Sequence, residues 1–147
     1  MQVNYRQYSL MKRIAKRSVC PISCSLDIWG DKWSLLIIRN LMFHNMHTYG
    51  EFLQAPEKIA TNILADRLIS LAHAGLISKK EHPESKAKFY YELTQKGNDL
   101  LPLLIEISNW GNKYLGIMPE AKAMVKRATP ERQRLINSFS AQFKKRR

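Results

Sequence analysis

The sequence predicts an α+β fold that is mainly α, and three observations lead to this prediction. Apolar residues recur at three- and four-residue intervals along most of the chain, the spacing of helices that bury one face. Two short segments with alternating apolar and polar residues flank a polar loop, which indicates a two-stranded hairpin. A broad apolar stripe after the hairpin predicts a long C-terminal helix. With 147 residues and 45% apolar content, the chain can form one domain with its own core.

The first strongly periodic segment begins at Asp31, whose carboxylate can accept a backbone hydrogen bond as a helix N-cap. It predicts a helix that ends near Phe43, with an apolar face formed by Trp33, Leu36, Ile37 and Leu41. After a polar stretch, residues 49–55 predict a short second helix with Phe52 and Leu53 pointing inward. Pro56 ends that helix because proline lacks a backbone donor and crowds the preceding turn.

Residues 56–60 form the expected turn, and Thr61 is the expected N-cap of a third helix that Gly75 ends. Three leucines share its inward face: Leu64, Leu68 and Leu71. At about 100° per residue, the opposite face begins with three outward residues: Asn62, Ala65 and Asp66. Helix, turn and helix together indicate a helix-turn-helix, so these outward residues are candidate contacts with the DNA major groove.

Ile77–His82 and Phe89–Leu93 predict the two strands of the hairpin, with Phe89, Tyr91 and Leu93 pointing inward. Four lysines lie at or near the hairpin: Lys79, Lys80, Lys86 and Lys88. They are suited to DNA phosphates, and the alternative is that they only keep the strand edge solvated. After a helix-turn-helix, phosphate binding is favoured. The fold prediction therefore becomes a winged helix-turn-helix with a two-stranded hairpin as its wing.

A helix that begins at Thr94 and ends near Leu115 is expected after the wing, with a bend at Pro102. Its apolar face consists of Leu100, Leu101, Leu104, Ile107, Trp110 and Leu115. This face is wider than a small core covers, which predicts a homodimer with this helix in the interface. Residues 119–127 and 130–143 predict two further helices that either extend the interface or carry the basic terminus onto DNA.

The net charge of +12 is unevenly distributed along the chain. Residues 1–20 contain five basic and no acidic side chains, residues 21–116 contain ten of each, and residues 117–147 contain nine basic and two acidic ones. We therefore expect a basic arm at residues 1–19, a winged helix-turn-helix domain at 20–116 and a basic helical extension at 117–147. Nucleic acid is the polyanion that such ends would bind, and simple solvation of the ends is the alternative.

Several classes of function find no support in the sequence. The four histidines and two cysteines lack metal-ligand spacing, and no glycine-rich phosphate loop or pair of catalytic carboxylates is present. We therefore expect no enzyme activity, no metal and no cofactor. No apolar run is long enough to cross a membrane, and the basic N-terminus is not followed by a signal core, so a cytoplasmic location is expected.

The predicted elements resemble the HxlR family of bacterial winged helix-turn-helix transcription regulators, which are relatives of the MarR group. Residues from Cys20 to about Gly111 carry the resemblance. In the helical part they are Cys20-Pro21, Gly30-Asp31-Lys32-Trp33, Leu35 to Arg39, Tyr49 to Leu53, Ile59, Leu64, Arg67-Leu68, Leu71 and Gly75 to Ile77. From the wing onward they are Pro83, Lys88, Tyr91, Leu93-Thr94, Lys96-Gly97 and Trp110-Gly111.

The resemblance implies a homodimer that binds a palindromic operator in double-stranded DNA, with the third helix in the major groove and the wing on the backbone. By position, four residues would face the bases: Thr61, Asn62, Ala65 and Asp66. Asn62 is the best reader of them because an amide can pair with two positions of adenine. Asp66 would repel phosphate, so it should face a cytosine amino group or avoid contact. Ala60 replaces the usual capping serine, and Arg67 would brace the helix.

Cys20 occupies a position that serves some members of the resembling family as a redox or electrophile sensor. The basic neighbours Lys16 and Arg17 favour a thiolate there, and an inert thiol is the alternative. Cys24 is expected to be a small core side chain. An oxidant or small-molecule effector is thus compatible with the resemblance. A winged helix that binds RNA or a protein is the other function compatible with the same fold.

Overall fold

The computed structural model describes residues 18–82 and 85–115, with the side chains of residues 82 and 85–87 left out. Eight elements follow one another in this part of the chain: α1 (Pro21–Trp29), α2 (Lys32–Phe43), α3 (Tyr49–Leu53), α4 (Thr61–His73), β1 (Ile77–His82), β2 (Ser85–Leu93), α5 (Gln95–Asn98) and α6 (Leu101–Leu115). The chain divides into two compact units between Leu100 and Leu101. The predicted basic arm and the C-terminal extension lie outside the described residues, apart from Ser18 and Val19.

The helix-turn-helix follows the predicted pattern. Asp31 is the N-cap of α2, and its carboxylate accepts hydrogen bonds from the Ser34 backbone at 2.9 Å and from the Ser34 hydroxyl at 2.6 Å. The inward faces of α2, α3 and α4 supply the largest fully buried side chains of the helix-turn-helix: Ile38, Phe52, Leu64 and Leu71. Burying one such side chain stabilises the fold by about 1.5–3 kcal/mol. This core therefore determines the position of α4 relative to α2 and α3.

A capping box at the start of α3 was not foreseen. The Glu51 carboxylate accepts hydrogen bonds from the backbone amides of His47 and Thr48, each at 2.7 Å. In return, the Thr48 hydroxyl oxygen accepts from the backbone amide of Glu51. These bonds, chiefly the one from His47, lower the pKa of Glu51. The carboxylate is therefore ionised at neutral pH, at the end of the helix where negative charge is favourable.

The prediction that Thr61 caps α4 is wrong. Ala60 is the N-cap, because its carbonyl accepts the first helical hydrogen bond from the Leu64 amide at 2.9 Å and Thr61 already has helical geometry. No side chain caps this helix start. The opposite end follows the prediction, since Gly75 has a φ of 73°, which residues with a Cβ rarely adopt.

The wing is an antiparallel hairpin in which Ile77 pairs with Leu93 and Lys79 pairs with Tyr91. Its second strand begins four residues earlier than the expected Phe89, at Ser85. Tyr91 points into the core as predicted, but Phe89 is 44% exposed, and the Lys79 ammonium lies 3.6 Å from its ring centroid. The inward prediction for Phe89 is therefore wrong. Phe89 lies nearer the tip of the hairpin, where the described helices do not cover it.

The polar stretch before α3 attaches to the outer edge of the wing. The Tyr91 amide donates to the His47 carbonyl at 2.7 Å, and Thr48 forms an isolated bridge with Tyr90. The His47 ring stacks on Tyr90 with centroids 4.6 Å apart, and its Nδ1 lies 2.9 Å from the Tyr91 carbonyl. The wing is thus bonded directly to the helix-turn-helix.

The long helix expected from Thr94 is interrupted. Thr94 caps the short helix α5, the chain turns at Asp99 and Leu100, and a separate helix α6 then begins at Leu101. Pro102 does not bend a continuous helix but lies in the first turn of α6, where its missing donor costs no helical hydrogen bond. On α6, four large apolar side chains remain exposed: Ile107, Trp110, Tyr114 and Leu115.

A close approach at Gly97 gives a test of the packing between α5 and the wing. A Cβ at Gly97 would overlap the Leu76 carbonyl and lie 2.9 Å from the Leu93 side chain, whereas a Cβ at Gly50 would meet nothing within 4 Å. We expect Gly97→Ala to lower the free energy of unfolding by about 1–3 kcal/mol. Gly50→Ala, in α3, should leave it unchanged or raise it by up to about 1 kcal/mol. Equal stability of the two variants in urea would contradict this packing.

Candidate nucleic-acid interface

The start of α4 presents the predicted base-facing residues on one surface. Thr61, Asn62 and Asp66 are exposed, and Ala65 between them is partly exposed. Within residues 18–82 and 85–115, no group forms a hydrogen bond with the Asn62 amide. This amide therefore keeps both its donor and its acceptor available for a base edge.

Tyr49 fixes this helix start from α3. Its hydroxyl donates to the Thr61 carbonyl at 2.7 Å, which ties the first residue of α3 to the first residue of α4. This bond was not predicted from the sequence. Nothing local indicates it, because the two residues are twelve positions apart and meet only through the turn between the helices.

Arg67 joins the same surface to α2. Its guanidinium donates to the Asp31 carboxylate at 3.2 Å and also bonds tightly with Asp66. The bond with Asp66 is the main cause of a raised Arg67 pKa. Burial alone would raise the pKa of Asp31, but hydrogen bonds from Ser34 and Arg67 outweigh it and lower the pKa. Arg67 thus braces the helix, as the resemblance implied.

The ion pair with Arg67 reduces the effect of the negative charge of Asp66. A lone carboxylate on a DNA-facing helix would repel phosphate, whereas this one lies against a guanidinium that is itself about one-third exposed. Because Arg67 also pairs with Asp31, the charge of Asp66 is only partly compensated.

The four wing lysines differ in their surroundings. Lys80 forms an ion pair with Glu92 across the hairpin, and Lys79 lies over the Phe89 ring. Lys88 is exposed, and no partner for it is found in the described part of the chain. The Lys86 side chain lies outside the described residues. Lys88 is therefore the described wing lysine whose charge is least compensated.

With the helix-turn-helix, its exposed third helix and the wing in place, comparison with known families is decisive. A profile described as HxlR-like helix-turn-helix matches residues 28–118. The chain belongs to the HxlR-like family. Relatives of the chain are described as HTH-type transcriptional regulators, and the HxlR-like chain is a helix-turn-helix transcription regulator.

Individual relatives agree with this assignment. The regulatory protein MalR of Fusobacterium mortiferum is 34% identical over 94 residues, which is 64% of the HxlR-like chain and 89% of MalR. The crystal structure of the transcription factor PA1607 aligns with a TM-score of 0.62 at 39% identity and covers 71% of each chain. Reduced YodB, a transcriptional regulator of Bacillus subtilis, aligns with a TM-score of 0.54 at 26% identity over 66% of this chain and 95% of YodB. YodB has also been solved after diamide treatment.

Both cysteines of the HxlR-like chain are free thiols at the start of α1. Cys20 is exposed at the N-cap position, and its backbone amide donates to the Ser18 hydroxyl at 3.1 Å. Cys24 is only half-buried, and its thiol lies 3.1 Å from the Ser18 carbonyl. Cys24 is therefore less buried than the core position expected for it.

Neither a metal site nor a membrane span is found in the described part of the HxlR-like chain. No group of three or more His, Cys, Asp or Glu side chains among the described residues could hold a metal ion. Within the same residues, no helix has the length and apolar content that a membrane span requires.

The junction of Asp31 with Arg67 predicts a pH dependence of stability. Because folding lowers the pKa of Asp31 below its usual 3.8, the ionised carboxylate stabilises the fold at higher pH, and this stabilisation is lost as the pH falls through the lowered pKa. Asp31→Asn keeps an N-cap acceptor but removes the charge. In urea unfolding we expect it to cost less than about 1 kcal/mol at pH 7, since the pair is partly exposed.

The cost of Asp31→Asn should shrink as the pH falls below 3.8 and through the lowered pKa of Asp31, because the wild-type carboxylate then also becomes neutral. Arg67→Gln in the Asp31→Asn background serves as the control and should remove little further stability. A cost of Asp31→Asn that is the same at every pH would show that the charge does not matter.

Proposed function

We propose that the chain acts as a homodimer that binds a palindromic operator in duplex DNA with sequence specificity. The observation that carries this proposal is the exposed start of α4, where the Asn62 amide has no partner in the described part of the chain. Tyr49 and Arg67 hold that helix start from α3 and α2. A rigid helix with an available amide on its outer face is suited to the major groove.

Asn62 reads a base in this proposal, and its neighbours shape the contact. The amide would form two hydrogen bonds with adenine: its NH2 group would donate to N7, and its oxygen would accept from the amino group. Thr61 and Ala65 flank it with a hydroxyl and a methyl group, which suit a base edge and a thymine methyl. Asp66, already paired with Arg67, is left able to accept from a cytosine amino group.

The wing and the terminal segments supply the contacts with phosphate. Lys88 and Lys79 are exposed on the wing, and we assign them to the DNA backbone together with Lys80 and Lys86. Lys80 would have to exchange its bond with Glu92 for a phosphate. Since residues 21–116 are neutral overall, the basic residues 1–20 and 117–147 provide most of the counter-charge.

Two apolar stripes support a dimer. Ile107, Trp110 and Tyr114 remain exposed on α6, and Trp110 is 59% exposed. Val19, Ile22 and Leu26 form a second exposed stripe along the start of α1. Exposed apolar side chains at helical spacing are characteristic of an interface, and we assign both stripes to a second copy of the chain. The two α4 helices would then lie about 34 Å apart, one turn of DNA.

We also propose that Cys20 makes DNA binding sensitive to oxidants or electrophiles. The thiol is exposed at the start of α1, beside the apolar residues assigned to the dimer interface. The similarity to YodB, whose structure is known in reduced and diamide-treated forms, supports the proposal. A regulator of this kind acts on the chromosome, so we place it in the cytoplasm.

DNA binding is tested by selecting sites from random duplexes and measuring affinity by fluorescence anisotropy. Asn62→Ala should weaken binding to the selected site about 10- to 100-fold and change binding to random duplex little. Gln95→Ala removes an exposed amide from α5 and serves as the matched control with unchanged affinity. Lys88→Ala should weaken binding to all duplexes alike and lower the salt slope by about one per bound subunit.

The same titration gives the number of chains for each duplex, which should be two. If no duplex sequence is preferred, sequence-specific regulation is excluded, and binding of RNA or a protein by the same fold becomes the better interpretation.

The redox proposal predicts that diamide changes operator affinity in the wild type but not in Cys20→Ser. Cys24→Ser, four residues along the same helix, is the matched control and should respond like the wild type. The measurement is operator affinity before and after treatment, followed by reduction to restore the starting value. Equal responses in the wild type and Cys20→Ser would show that Cys20 is an inert thiol.

A further inference from the structure

The exposed face of α4 continues beyond the residues assigned to the bases. Four exposed side chains follow one another along it at helical spacing: Asn62, Asp66, Ile69 and His73. At about 100° per residue, Ile69 lies within about 20° of Asn62 around the helix axis. At about 1.5 Å per residue, it lies about 10.5 Å further along that axis. Ile69 therefore shares the face of the base-reading amide, two helical turns later.

Ile69 is the apolar member of this face. Its side chain is 56% exposed, whereas the neighbouring Leu68 is 2% exposed. It does not belong to the stripes on α1 and α6 that we assign to the dimer. Ile63, a second exposed isoleucine of α4, lies about 120° away from Ile69 around the helix axis. Of these two isoleucines, Ile69 is the one on the face of Asn62.

The surroundings of Ile69 suit a strand of DNA. Asp66, about one turn before it, is paired with Arg67. Lys79 lines the same groove between α4 and the wing as Ile69, and its ammonium lies 3.6 Å from the centroid of the Phe89 ring. A cation on the wing side can hold a phosphate of the strand whose bases pass Ile69. The isoleucine thus has an amide assigned to a base on its own helix and a cation assigned to phosphate on the wing.

Thymine is the base whose major-groove edge suits an isoleucine. It presents a methyl group on C5, whereas the edges of cytosine, adenine and guanine present amino donors or ring acceptors. An isoleucine side chain forms no hydrogen bond, so a polar base edge against Ile69 would lose water without gaining a partner. Contact between Ile69 and a methyl group instead removes apolar surface from water on both sides. Both effects favour thymine over the other bases.

We propose that Ile69 is a second specificity-determining residue of α4 and selects a thymine through contact with its methyl group. Selection by Ile69 rests on the proposed function, because Ile69 meets a base only if α4 lies in the major groove. With base pairs about 3.4 Å apart, the separation of about 10.5 Å between Asn62 and Ile69 corresponds to about three base pairs. Each half of the operator then contains an adenine read by Asn62 and, about three base pairs away, a thymine selected by Ile69.

Deoxyuridine tests this contact because it differs from thymidine only by the missing methyl group. Each thymine of the selected duplex is replaced in turn, at equivalent positions of both half-sites, and the affinity of the full chain is measured by fluorescence anisotropy. The replacement about three base pairs from the adenine should weaken wild-type binding about three- to fivefold for each half-site. The same replacement should have no effect on Ile69→Ala, since the side chain that meets the methyl group is then absent.

Ile63→Ala is the matched control, because it shortens the other exposed isoleucine of α4 by the same atoms. It should keep the wild-type response to deoxyuridine. Both variants place a better helix former at an exposed position, so both are expected to fold, and thermal unfolding checks this. The adenine is located independently with 7-deazaadenine, in which a carbon replaces N7. This base should weaken binding of the wild type but not of Asn62→Ala.

Two results would overturn the role of Ile69. One is a wild-type affinity that deoxyuridine leaves unchanged at every thymine. The other is an equal loss in the wild type and in Ile69→Ala, which would assign the methyl contact to another side chain, such as Ala65. In both cases, a 7-deazaadenine effect that depends on Asn62 leaves the proposed function standing. The absence of any preferred duplex refutes the proposed function and the role of Ile69 with it, so the two failures are distinguishable.

Discussion

The position of α4 depends on the hydrogen bonds that the Asp31 carboxylate accepts. One side chain caps α2 through Ser34 and accepts from Arg67 on α4, so the start of one helix and the outer face of another share a single acceptor. Arg67 in turn compensates Asp66. The position and the charge of the exposed start of α4 are therefore determined together, and a change at any of these residues alters both.

In the proposed function, selectivity for base sequence and attraction to DNA phosphate come from different parts of the chain. The exposed start of α4 contains an amide without a partner among the described residues and a carboxylate paired with Arg67, whereas the excess of basic residues lies in residues 1–20 and 117–147. Attraction to phosphate is long-ranged and insensitive to sequence, while hydrogen bonds to base edges act only at contact. In the proposed function, the basic ends would attract the chain to DNA and α4 would distinguish one site from another.

Features that depend on neighbouring residues could be predicted from the sequence, and features that depend on distant ones could not. The Asp31 cap, the leucine face of α4 and the turn at Gly75 are local, and all three are present. The spacing of Thr48 and Glu51 matches a capping box and could have been recognised. The alternation of apolar and polar residues along β2 predicts the face of the hairpin on which Phe89 lies. It does not predict whether another element covers that face, and Phe89 is exposed. The bond from Tyr49 to Thr61 arises only when separate elements meet.

The attachment of His47 and Thr48 to β2 has a consequence for how operators are distinguished. The backbone bond from Tyr91 to His47 and the stacking on Tyr90 leave the hairpin little freedom to swing against the helices. The distance from the Asn62 amide to the wing lysines is then nearly fixed. In the proposed complex, DNA has to match this distance through the width of its grooves, so operator positions that the protein never touches would contribute to recognition through the stiffness of the duplex.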